Sequence, residues 1–385
     1  MFRIIPERCT GCGNCRTIQC SEPCSSCGTC QLACPSGALI PGEQDETLCT
    51  VTVNGVRVRA RGTVKNALEA AGFRVSSLPD EGDLFAPCGS GGCWACSVSV
   101  NGRPAQACIT PPQGGMVIET MDEPALRYVS RFGPHTAGGV GTPHHEKTGL
   151  AVEVVCFAHG CNLRCPQCQK SQAAFTGGLN LLDPEETANL LLGVESVYRT
   201  GTVTFSGGEC TLNRAWLIKS IEEVRKRDGS LNIHVDTNGT ILTRDYIDEL
   251  VLAGMRRIGI DLKGLRPETF MRITGMEDRK TSEAYLENSW DAIRYIATGH
   301  REVFLGVGVP YNSKLISVDE IRGMAALIGS ISRKIQVTVL DYRSEFRCMD
   351  IERPSVKEML HVKGVMEDEG LEVVLAQTEH GFMGP

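Results

Sequence analysis

The chain has 385 residues, a formal net charge of −7, 42% hydrophobic residues and 22% charged residues. This composition is typical of a globular protein with two or three domains. The acidic charge and the lack of a basic run disfavour a nucleic-acid partner, and no apolar run approaches the roughly 18 residues that span a membrane. The first residues contain no hydrophobic signal segment, so we expect a cytoplasmic protein.

The most unusual feature of the composition is its 19 cysteines, most of which precede residue 110. Disulfides belong to oxidising compartments, so metal binding is the stronger interpretation in a chain without an export signal. The cysteines therefore predict a metalloprotein of a reducing, anaerobic cytoplasm.

Residues 1–46 contain two cysteine runs, Cys-x2-Cys-x2-Cys-x4-Cys and Cys-x2-Cys-x2-Cys-x3-Cys-Pro. The second run resembles that of bacterial two-cluster ferredoxins, in which the fourth cysteine ligates the other cluster. Two bound clusters would replace the hydrophobic core that so short a segment lacks, and two zinc sites are the alternative. The resemblance implies one [4Fe–4S] cluster on Cys9, Cys12, Cys15 and Cys34, and another on Cys20, Cys24, Cys27 and Cys30.

Residues 47–121 begin with an alternating pattern around Asn54-Gly55, which predicts a β-hairpin, and Thr63 is placed to cap the helix that follows. A Cys-x4-Cys-x2-Cys run and a later cysteine then give the spacing of plant-type [2Fe–2S] proteins. The segment resembles the β-grasp [2Fe–2S] domains of succinate dehydrogenase and xanthine dehydrogenase. The resemblance implies one [2Fe–2S] cluster on Cys88, Cys93, Cys96 and Cys108.

The remainder of the chain is predicted to be a linker and a large α/β domain. Residues 122–149 are rich in glycine and proline, which predicts the linker. Within residues 150–385, strand-like runs alternate with amphipathic helical stretches. These strand-like runs are 152–156, 202–205, 232–236, 257–262, 303–309 and 335–340. The alternation predicts a parallel sheet with right-handed crossovers, in which the chemistry sits on the loops after the strands.

Three cysteines follow the first of these strands at a Cys-x3-Cys-x2-Cys spacing: Cys161, Cys165 and Cys168. Thiolates suit zinc or iron–sulfur clusters, and a closed zinc site would need Cys156 or His159 as a fourth ligand. With the motifs downstream, the spacing resembles the radical S-adenosylmethionine (SAM) superfamily. The resemblance implies a partial (β/α)6 TIM-like barrel and a third [4Fe–4S] cluster, whose open iron chelates the amino and carboxylate groups of SAM.

Motifs after the later strands extend the resemblance. In radical SAM enzymes a Gly-Gly-Glu stretch holds the methionyl amino group of SAM, which assigns that role to Gly207, Gly208 and Glu209. The stretches Asp236-Thr237-Asn238-Gly239 and Asp261-Leu262-Lys263 resemble glycyl-radical activases of the pyruvate formate-lyase activating enzyme type. There the aspartates place SAM through a monovalent cation and the lysine contacts SAM. This adds Asp236, Thr237, Asp261 and Lys263 to the cofactor site, and helix capping by the acids is the alternative.

The sequence thus predicts an enzyme that takes electrons from an external ferredoxin, flavodoxin or reductase through its own clusters. The reduced cluster then cleaves SAM to methionine and a 5′-deoxyadenosyl radical, which abstracts hydrogen from substrate. Three functions remain open at this point: activation of a glycyl-radical protein, modification of a small molecule or peptide in biosynthesis, or electron transfer with a vestigial SAM site. Cys210, Cys348 and His380 are candidates for contact with the substrate.

Overall fold

The computed structural model describes residues 2–16, 18, 24–42, 48–122, 124–147, 151–177 and 180–385. The predicted cluster ligand Cys20 lies outside the described residues. Within them, no helix combines the length and the apolar character needed to cross a membrane.

The amino-terminal segment has little apolar core of its own. Its elements are β1 (Phe2–Ile4), α1 (Thr29–Ala33) and β2 (Leu39–Pro41), with β1 antiparallel to β2. The described part of its core consists of Cys34, Ala38 and Leu39, with Phe2, Cys15 and Cys30 packed against them. Because a core of this size cannot stabilise a fold, the segment depends on whatever its cysteines bind.

The second domain is a five-stranded mixed sheet with one helix. Its elements are β3 (Cys49–Val53), β4 (Val56–Ala60), α2 (Val64–Ala70), β5 (Val75–Ser76), β6 (Leu84–Phe85), β7 (Ser97–Val100), β8 (Arg103–Gln106) and β9 (Val117–Thr120). The strand order is β4-β3-β9-β7-β8, in which only β3 and β9 are parallel. The predicted hairpin is the β3–β4 pair, with Asn54 and Gly55 both at positive φ. Thr63 caps α2 in a reciprocal arrangement with Asn66, as its position predicts.

The third domain is an open ten-stranded sheet. Its strands are β10 (Arg127–Thr136), β11 (Val152–Ala158), β12 (Asn180–Leu182), β13 (Thr202–Gly207), β14 (Asn232–Thr237), β15 (Arg257–Asp261), β16 (Phe304–Tyr311), β17 (Gln336–Asp341), β18 (Val374–Thr378) and β19 (Gly381–Met383). Its helices are α3 (Ser171–Phe175), α4 (Pro184–Tyr198), α5 (Arg214–Arg227), α6 (Arg244–Ala253), α7 (Pro267–Thr274), α8 (Arg279–Gly299), α9 (Val318–Ile331) and α10 (Val356–Asp368). The order is β12-β10-β11-β13-β14-β15-β16-β17-β18-β19.

The parallel part of this sheet runs from β11 through β13–β18, and helices cross between its strands. Its strands are buried almost throughout, which explains why they are continuous apolar runs in the sequence. All six predicted strands are present, and β18 is a further parallel strand that the sequence analysis missed. Because the strands are parallel, the loops after β11, β13, β14 and β15 meet at one end of the sheet.

The predicted linker over residues 122–149 is wrong for its described part. Residues 127–136 form β10, which pairs with β11 and β12, and residues 137–147 then pack against the parallel sheet. The backbone N–H of His144 donates to Gln336 Oε1 at 2.7 Å. A Cβ atom at Gly141 would collide with the backbone of β15 and with His234. The glycines in this segment are required for close packing against the sheet. Because flexible linkers are also rich in glycine, the composition alone predicted a linker.

Candidate functional site

A cavity of about 280 Å³ opens at the carboxyl ends of the parallel strands. The three cysteines line it from the loop after β11, the Gly-Gly-Glu stretch from the end of β13, and the two aspartate motifs from the ends of β14 and β15. The predicted residues among its lining are Cys161, Cys165, Cys168, Gly207, Gly208, Glu209, Asp236, Thr237, Asp261 and Lys263. The fold therefore brings every residue of the predicted SAM site to one cavity.

The three cysteines of the cavity have the character of metal ligands that need a cation. Burial and the neighbouring thiols raise the pKa of Cys161 well above its usual value and that of Cys168 to about 12, and burial also raises the pKa of Cys165. Such thiols ionise only when a metal compensates the charge. In the described part of the chain, no three Cys, His, Asp or Glu side chains converge on one metal-ion position. Cys156 and His159, the candidates for a fourth zinc ligand, do not line the cavity.

Glu209 joins the loop after β13 to the loop after β14. Its carboxylate is 1% exposed and accepts four hydrogen bonds, from Thr211 N, Thr211 Oγ1, Thr237 Oγ1 and Asn238 N, at 2.6–3.1 Å. Protein donors therefore occupy the carboxylate to which the resemblance assigns the SAM amino group. The Glu209 side chain therefore holds the loops after β13 and β14 together in the cavity wall.

Asp236 is held by a buried network beneath the cavity. His234 Nε2 lies 2.9 Å from Asp236 Oδ1, and His234 Nδ1 lies 3.2 Å from Glu153 Oε2. Burial opposes the charge on the imidazole, but the two carboxylates outweigh burial and raise the pKa of His234 to about 9. Burial likewise opposes the charge on Glu153, but His234 outweighs it and lowers the pKa of that carboxyl to about 2. The network is an ion triad that fixes Asp236 in place.

This triad predicts that stability falls as the pH rises through 9. A histidine whose pKa is raised from about 6.5 to about 9 on folding stabilises the fold fully below pH 6.5, and that stability is lost as pH rises through 9. The loss amounts to about 3 kcal/mol in the free energy of unfolding. Anaerobic thermal melts should show the melting temperature falling between pH 6.5 and 9 in the wild type and far less in His234→Gln. His361→Gln, at an exposed position on α10, is the control and should retain the wild-type slope; an unchanged slope in His234→Gln would contradict the assignment.

Asp261 pairs with Lys263. Lys263 Nζ contacts Asp261 Oδ2 and donates to Tyr342 Oη at 2.7 Å. Burial opposes the lysine charge, but Asp261 outweighs it and holds the pKa of Lys263 well above its usual value. His234 is shared between Asp236 and Glu153, so the two cations His234 and Lys263 face three carboxylates. The charge balance therefore leaves room for the monovalent cation that the resemblance implied.

Two acceptors in the cavity wall remain available to a ligand. Asp261 Oδ1 and Gln167 Oε1 are buried and have no hydrogen-bond partner among the described residues. Buried acceptors normally have donors, so both oxygens suit a ligand that carries amino groups. SAM has two amino groups, one on its methionyl part and one on adenine, and these two acceptors of the cavity therefore fit it.

Several residues that hold the site together were not predicted from the sequence. Arg127 is 0% exposed, and its Nη2 donates to His159 O at 2.7 Å and Glu209 O at 2.6 Å. Asn162, next to the first cysteine, bonds the side chains of Asn238 and Thr240 and so ties the cysteine loop to the loop after β14. Asn162 lies inside the recognised motif, which was a usable signal. Arg127 lies in the glycine-poor start of the mispredicted linker and has no local signal.

The four cysteines of the second domain converge on one buried place. Cys88, Cys93, Cys96 and Cys108 are all buried, and Cys93 Sγ lies 3.2 Å from Cys88 Sγ. The Cys108 thiol contacts both Cys88 and Cys96, and Ser90 N donates to Cys88 Sγ at 3.4 Å. Four convergent thiols with a backbone donor fit the predicted [2Fe–2S] cluster.

Cys210, Cys348 and His380 are not among the described residues that line the cavity. Cys210 Sγ is fully buried and donates to Phe205 O at 3.5 Å and Asp236 O at 3.4 Å, which is a packing arrangement. His380 is exposed in the β18–β19 turn. Gln377, three residues earlier, is the residue of this region that lines the cavity.

Two family models match the chain at the places that the structure indicates. Residues 155–314 match the radical SAM superfamily, and residues 45–123 match the 2Fe-2S iron-sulfur cluster binding domain. The first match contains the cavity-lining motifs and the second contains Cys88–Cys108. The chain therefore carries a region that matches the radical SAM superfamily and, before it, a region that matches a 2Fe-2S iron-sulfur cluster binding domain.

The curated relatives correct one expectation. A probable GTP 3′,8-cyclase of Thermococcus kodakarensis is 32% identical over 139 residues, which are 36% of this chain and 42% of that protein. A probable GTP 3′,8-cyclase of Saccharolobus solfataricus is 33% identical over 125 residues, which are 32% of this chain and 38% of that protein. The chain thus spans about two fifths of the curated relatives it matches. The expected likeness to glycyl-radical activases is not supported, because these relatives are named as GTP 3′,8-cyclases.

Solved structures resemble the chain at a lower level. Streptococcus suis SuiB bound to S-adenosylmethionine has 14% sequence identity and a TM-score of 0.40, with 57% of this chain and 46% of that chain covered. Coproporphyrinogen III oxidase from Escherichia coli, described as a radical SAM enzyme, has 15% identity and a TM-score of 0.34, with 49% and 44% covered.

Proposed function

We propose that this protein is a radical SAM enzyme that modifies a small molecule in cofactor biosynthesis and draws its electrons through its own auxiliary clusters. The observation that carries the proposal is the single cavity in which three buried cysteines face the Gly-Gly-Glu stretch and the two aspartate motifs. The names of the curated relatives favour a small-molecule substrate over a protein substrate.

When bound, the cluster and SAM supply a 5′-deoxyadenosyl radical, and the residues of the chain position and shield them. Cys161, Cys165 and Cys168 would hold the cluster through three of its irons. The buried oxygens Asp261 Oδ1 and Gln167 Oε1 would accept hydrogen bonds from the amino groups of SAM.

The charges of the cavity argue against a triphosphate substrate. Among its described lining residues the cationic side chains are Lys170 and Lys263, and Lys263 is already paired with Asp261. The acids Glu209 and Asp236 also lie in the wall. A nucleoside triphosphate carries several negative charges that such a wall repels. We therefore propose a substrate with little negative charge, although the curated relatives described above are named for GTP.

The proposed cofactor set is three [4Fe–4S] clusters and one [2Fe–2S] cluster, with an external one-electron donor protein. Cys9, Cys12 and Cys24 are exposed, so the amino-terminal segment suits exchange with such a donor. Full loading corresponds to about 14 irons per chain, the sum for clusters of these types. Anaerobic iron analysis of the protein should approach this value, and iron near four per chain with zinc in the other sites would contradict the cofactor set.

The experiment that tests the function is anaerobic incubation of the iron-loaded protein with SAM and dithionite. We expect 5′-deoxyadenosine and methionine in equal amounts. A variant with Cys161, Cys165 and Cys168 all replaced by alanine is the control, because it keeps the auxiliary cysteines and should form neither product. If the wild type forms no 5′-deoxyadenosine at full iron loading, the enzyme proposal is wrong and an electron-transfer role remains.

A further inference from the structure

The loop that carries Cys88 and Cys93 packs directly against the start of the loop that carries Cys161. A Cβ atom added to Gly92 would lie 2.6 Å from Gly160 N, and one added to Gly160 would lie 2.8 Å from Cys93 N. The two backbones are therefore in contact, with no side chain between them. From these contacts and standard bond lengths, the Cα atoms of Cys93 and Cys161 are at most about 10 Å apart.

Arg164 joins the same two loops by hydrogen bonds. Its Nη2 donates to Cys88 O at 2.7 Å, and its Nη1 donates to Cys161 O at 2.8 Å and to Leu163 O at 2.9 Å. One planar guanidinium thus binds the carbonyl groups of a cysteine from the [2Fe–2S] domain and a cysteine from the radical SAM domain. A rigid fork of donors suits this bridging position better than a lysine would.

The [2Fe–2S] loop also lies beside the amino-terminal segment. Cys24, Cys27 and Cys30 line a second cavity of about 290 Å³, and Ser90 and Gln106 line it from the [2Fe–2S] domain. The cysteines of that domain are buried, whereas several cysteines of the amino-terminal segment are exposed. The Cys88–Cys93 loop therefore faces the amino-terminal segment across this cavity on one side and contacts the Cys161 loop on the other.

A second arginine offers a competing route, in which a side chain lies between the amino-terminal segment and the three-cysteine loop. Arg347 Nε donates to Cys34 O at 3.0 Å, and Arg347 N donates to Pro166 O at 2.8 Å. The side chain of Arg347 thus separates Cys34 from the three-cysteine loop, while the backbones of Gly92 and Gly160 touch. Contact of this kind favours the [2Fe–2S] domain as the immediate neighbour in electron transfer.

We propose that the Cys88–Cys93 loop passes electrons to the Cys161 loop, that Arg164 holds the two loops together as a positioning residue, and that residues 2–42 supply the Cys88–Cys93 loop. This inference rests on the proposed function and orders its electron supply. One electron crosses at the junction, so the group held at Cys88–Cys108 is oxidised by one equivalent and the group held at Cys161–Cys168 is reduced by one. No bond forms or breaks, and a low-potential one-electron donor supplies the electron.

The test is electron paramagnetic resonance of the iron-loaded, dithionite-reduced protein without SAM. Two reduced, paramagnetic clusters that lie close together speed up each other's electron-spin relaxation. The half-saturation power of the [2Fe–2S] signal in the wild type should therefore be at least fivefold higher than in the triple alanine variant at 161, 165 and 168. Gly92→Ala forces the loops apart without straining the backbone, since Gly92 does not have a positive φ. In this variant and in Arg164→Gln, the half-saturation power should fall towards that of the triple variant. Arg164→Lys, which keeps the charge and one donor, should lie between wild type and Arg164→Gln.

Two matched substitutions serve as controls. Gly114 lies in the same domain with nothing within 4 Å of an added Cβ atom, so Gly114→Ala should retain the wild-type half-saturation power. Arg347→Gln should retain it as well. All variants are compared at equal iron content. If Gly92→Ala does not fold, the comparison of Arg164→Gln with Arg164→Lys tests the proposal instead.

Three results would overturn the inference: a wild-type signal that matches the triple variant, wild-type values in both Gly92→Ala and Arg164→Gln, or a loss confined to Arg347→Gln. Because the measurement needs no SAM, its failure is separable from failure of the proposed function. The latter is decided by whether the wild type forms 5′-deoxyadenosine.

Discussion

Replacing Arg127 with methionine is expected to lower the reduction potential of the [2Fe–2S] centre by on the order of 100 mV. The guanidinium is fully buried, and its Nε and Nη1 have no hydrogen-bond partner among the described residues. Its charge favours the ionised form of Cys93 and Cys210 and disfavours protonated His159. At an effective dielectric constant near 20, any unit positive charge about 8 Å from a redox centre stabilises an added electron by about 2 kcal/mol, which sets the scale of the expected shift.

The physical reason for this effect is that a buried cation needs an anion. The direct partners of Arg127 are neutral carbonyl oxygens of His159 and Glu209. Isolated charges are expensive to bury, so this one is compensated by a negative group nearby. Thiolate-ligated clusters carry negative charge, and reduction makes them more negative. The positive charge of Arg127 should therefore stabilise the reduced form and raise the reduction potential.

The measurement is an anaerobic redox titration of the Arg127→Met protein, followed by electron paramagnetic resonance. Arg127→Lys is the matched variant, because it keeps the charge and loses the forked hydrogen bonds. We expect its potential to stay within about 30 mV of wild type, a shift of about half a power of ten in the one-electron equilibrium. In both variants a buried carbonyl without a donor costs roughly 1–3 kcal/mol of stability. A potential that does not move in a fully loaded Arg127→Met protein would refute the electrostatic role.

The strands and motifs of the third domain were predictable because their signals are local. Buried parallel strands must be apolar along their whole length, and the intervening helices must be amphipathic, so both leave a pattern in the sequence. The motifs follow β11, β13, β14 and β15, and topology alone then brings them to one cavity. β18 was not predicted although residues 373–376 are an apolar run of the same kind and β15, which has the same length, was predicted.

The parts that were not predictable depend on contacts between distant residues. Glycines such as those at 139 and 141 occur both in flexible linkers and in segments that pack closely against a sheet. Here they pack against β14 and β15, and only these distant neighbours distinguish the two cases. The bonds from Arg127 and Arg164 go to backbone carbonyl groups, which every residue has. Such contacts leave no sequence pattern, so neither the anchoring of Glu209 nor the junction at Cys88 could be inferred.

Glu209→Gln is expected to lower stability by roughly 3 kcal/mol and to weaken SAM binding at least tenfold, since buried hydrogen bonds to charged groups contribute roughly 1.5–3 kcal/mol each. The carboxylate accepts bonds from the backbone N–H groups of Thr211 and Asn238 and from two hydroxyls. An amide in its place turns one oxygen into a donor. The hydroxyls of Thr211 and Thr237 can rotate away from it, but the backbone N–H groups cannot.

Thermal melts and equilibrium binding of SAM, both under anaerobic conditions, distinguish two roles for this residue. If Glu209 holds the cavity wall, Glu209→Gln loses stability and SAM affinity together, because the Asn238 loop moves when its N–H loses the carboxylate. If Glu209 instead binds the SAM amino group directly, affinity falls while the melting temperature stays at the wild-type value.

Thr211→Val is the matched control for this experiment. It has nearly the same volume and removes only the Thr211 Oγ1 bond to Glu209, while the backbone N–H bonds to the carboxylate remain. It should cost about 1 kcal/mol of stability and leave SAM affinity within threefold of wild type. If SAM affinity falls in Glu209→Gln but not in Thr211→Val, the weakened binding results from the lost backbone contact with the loop after β14. If SAM affinity falls in both variants, it results from the lost hydroxyl contacts instead.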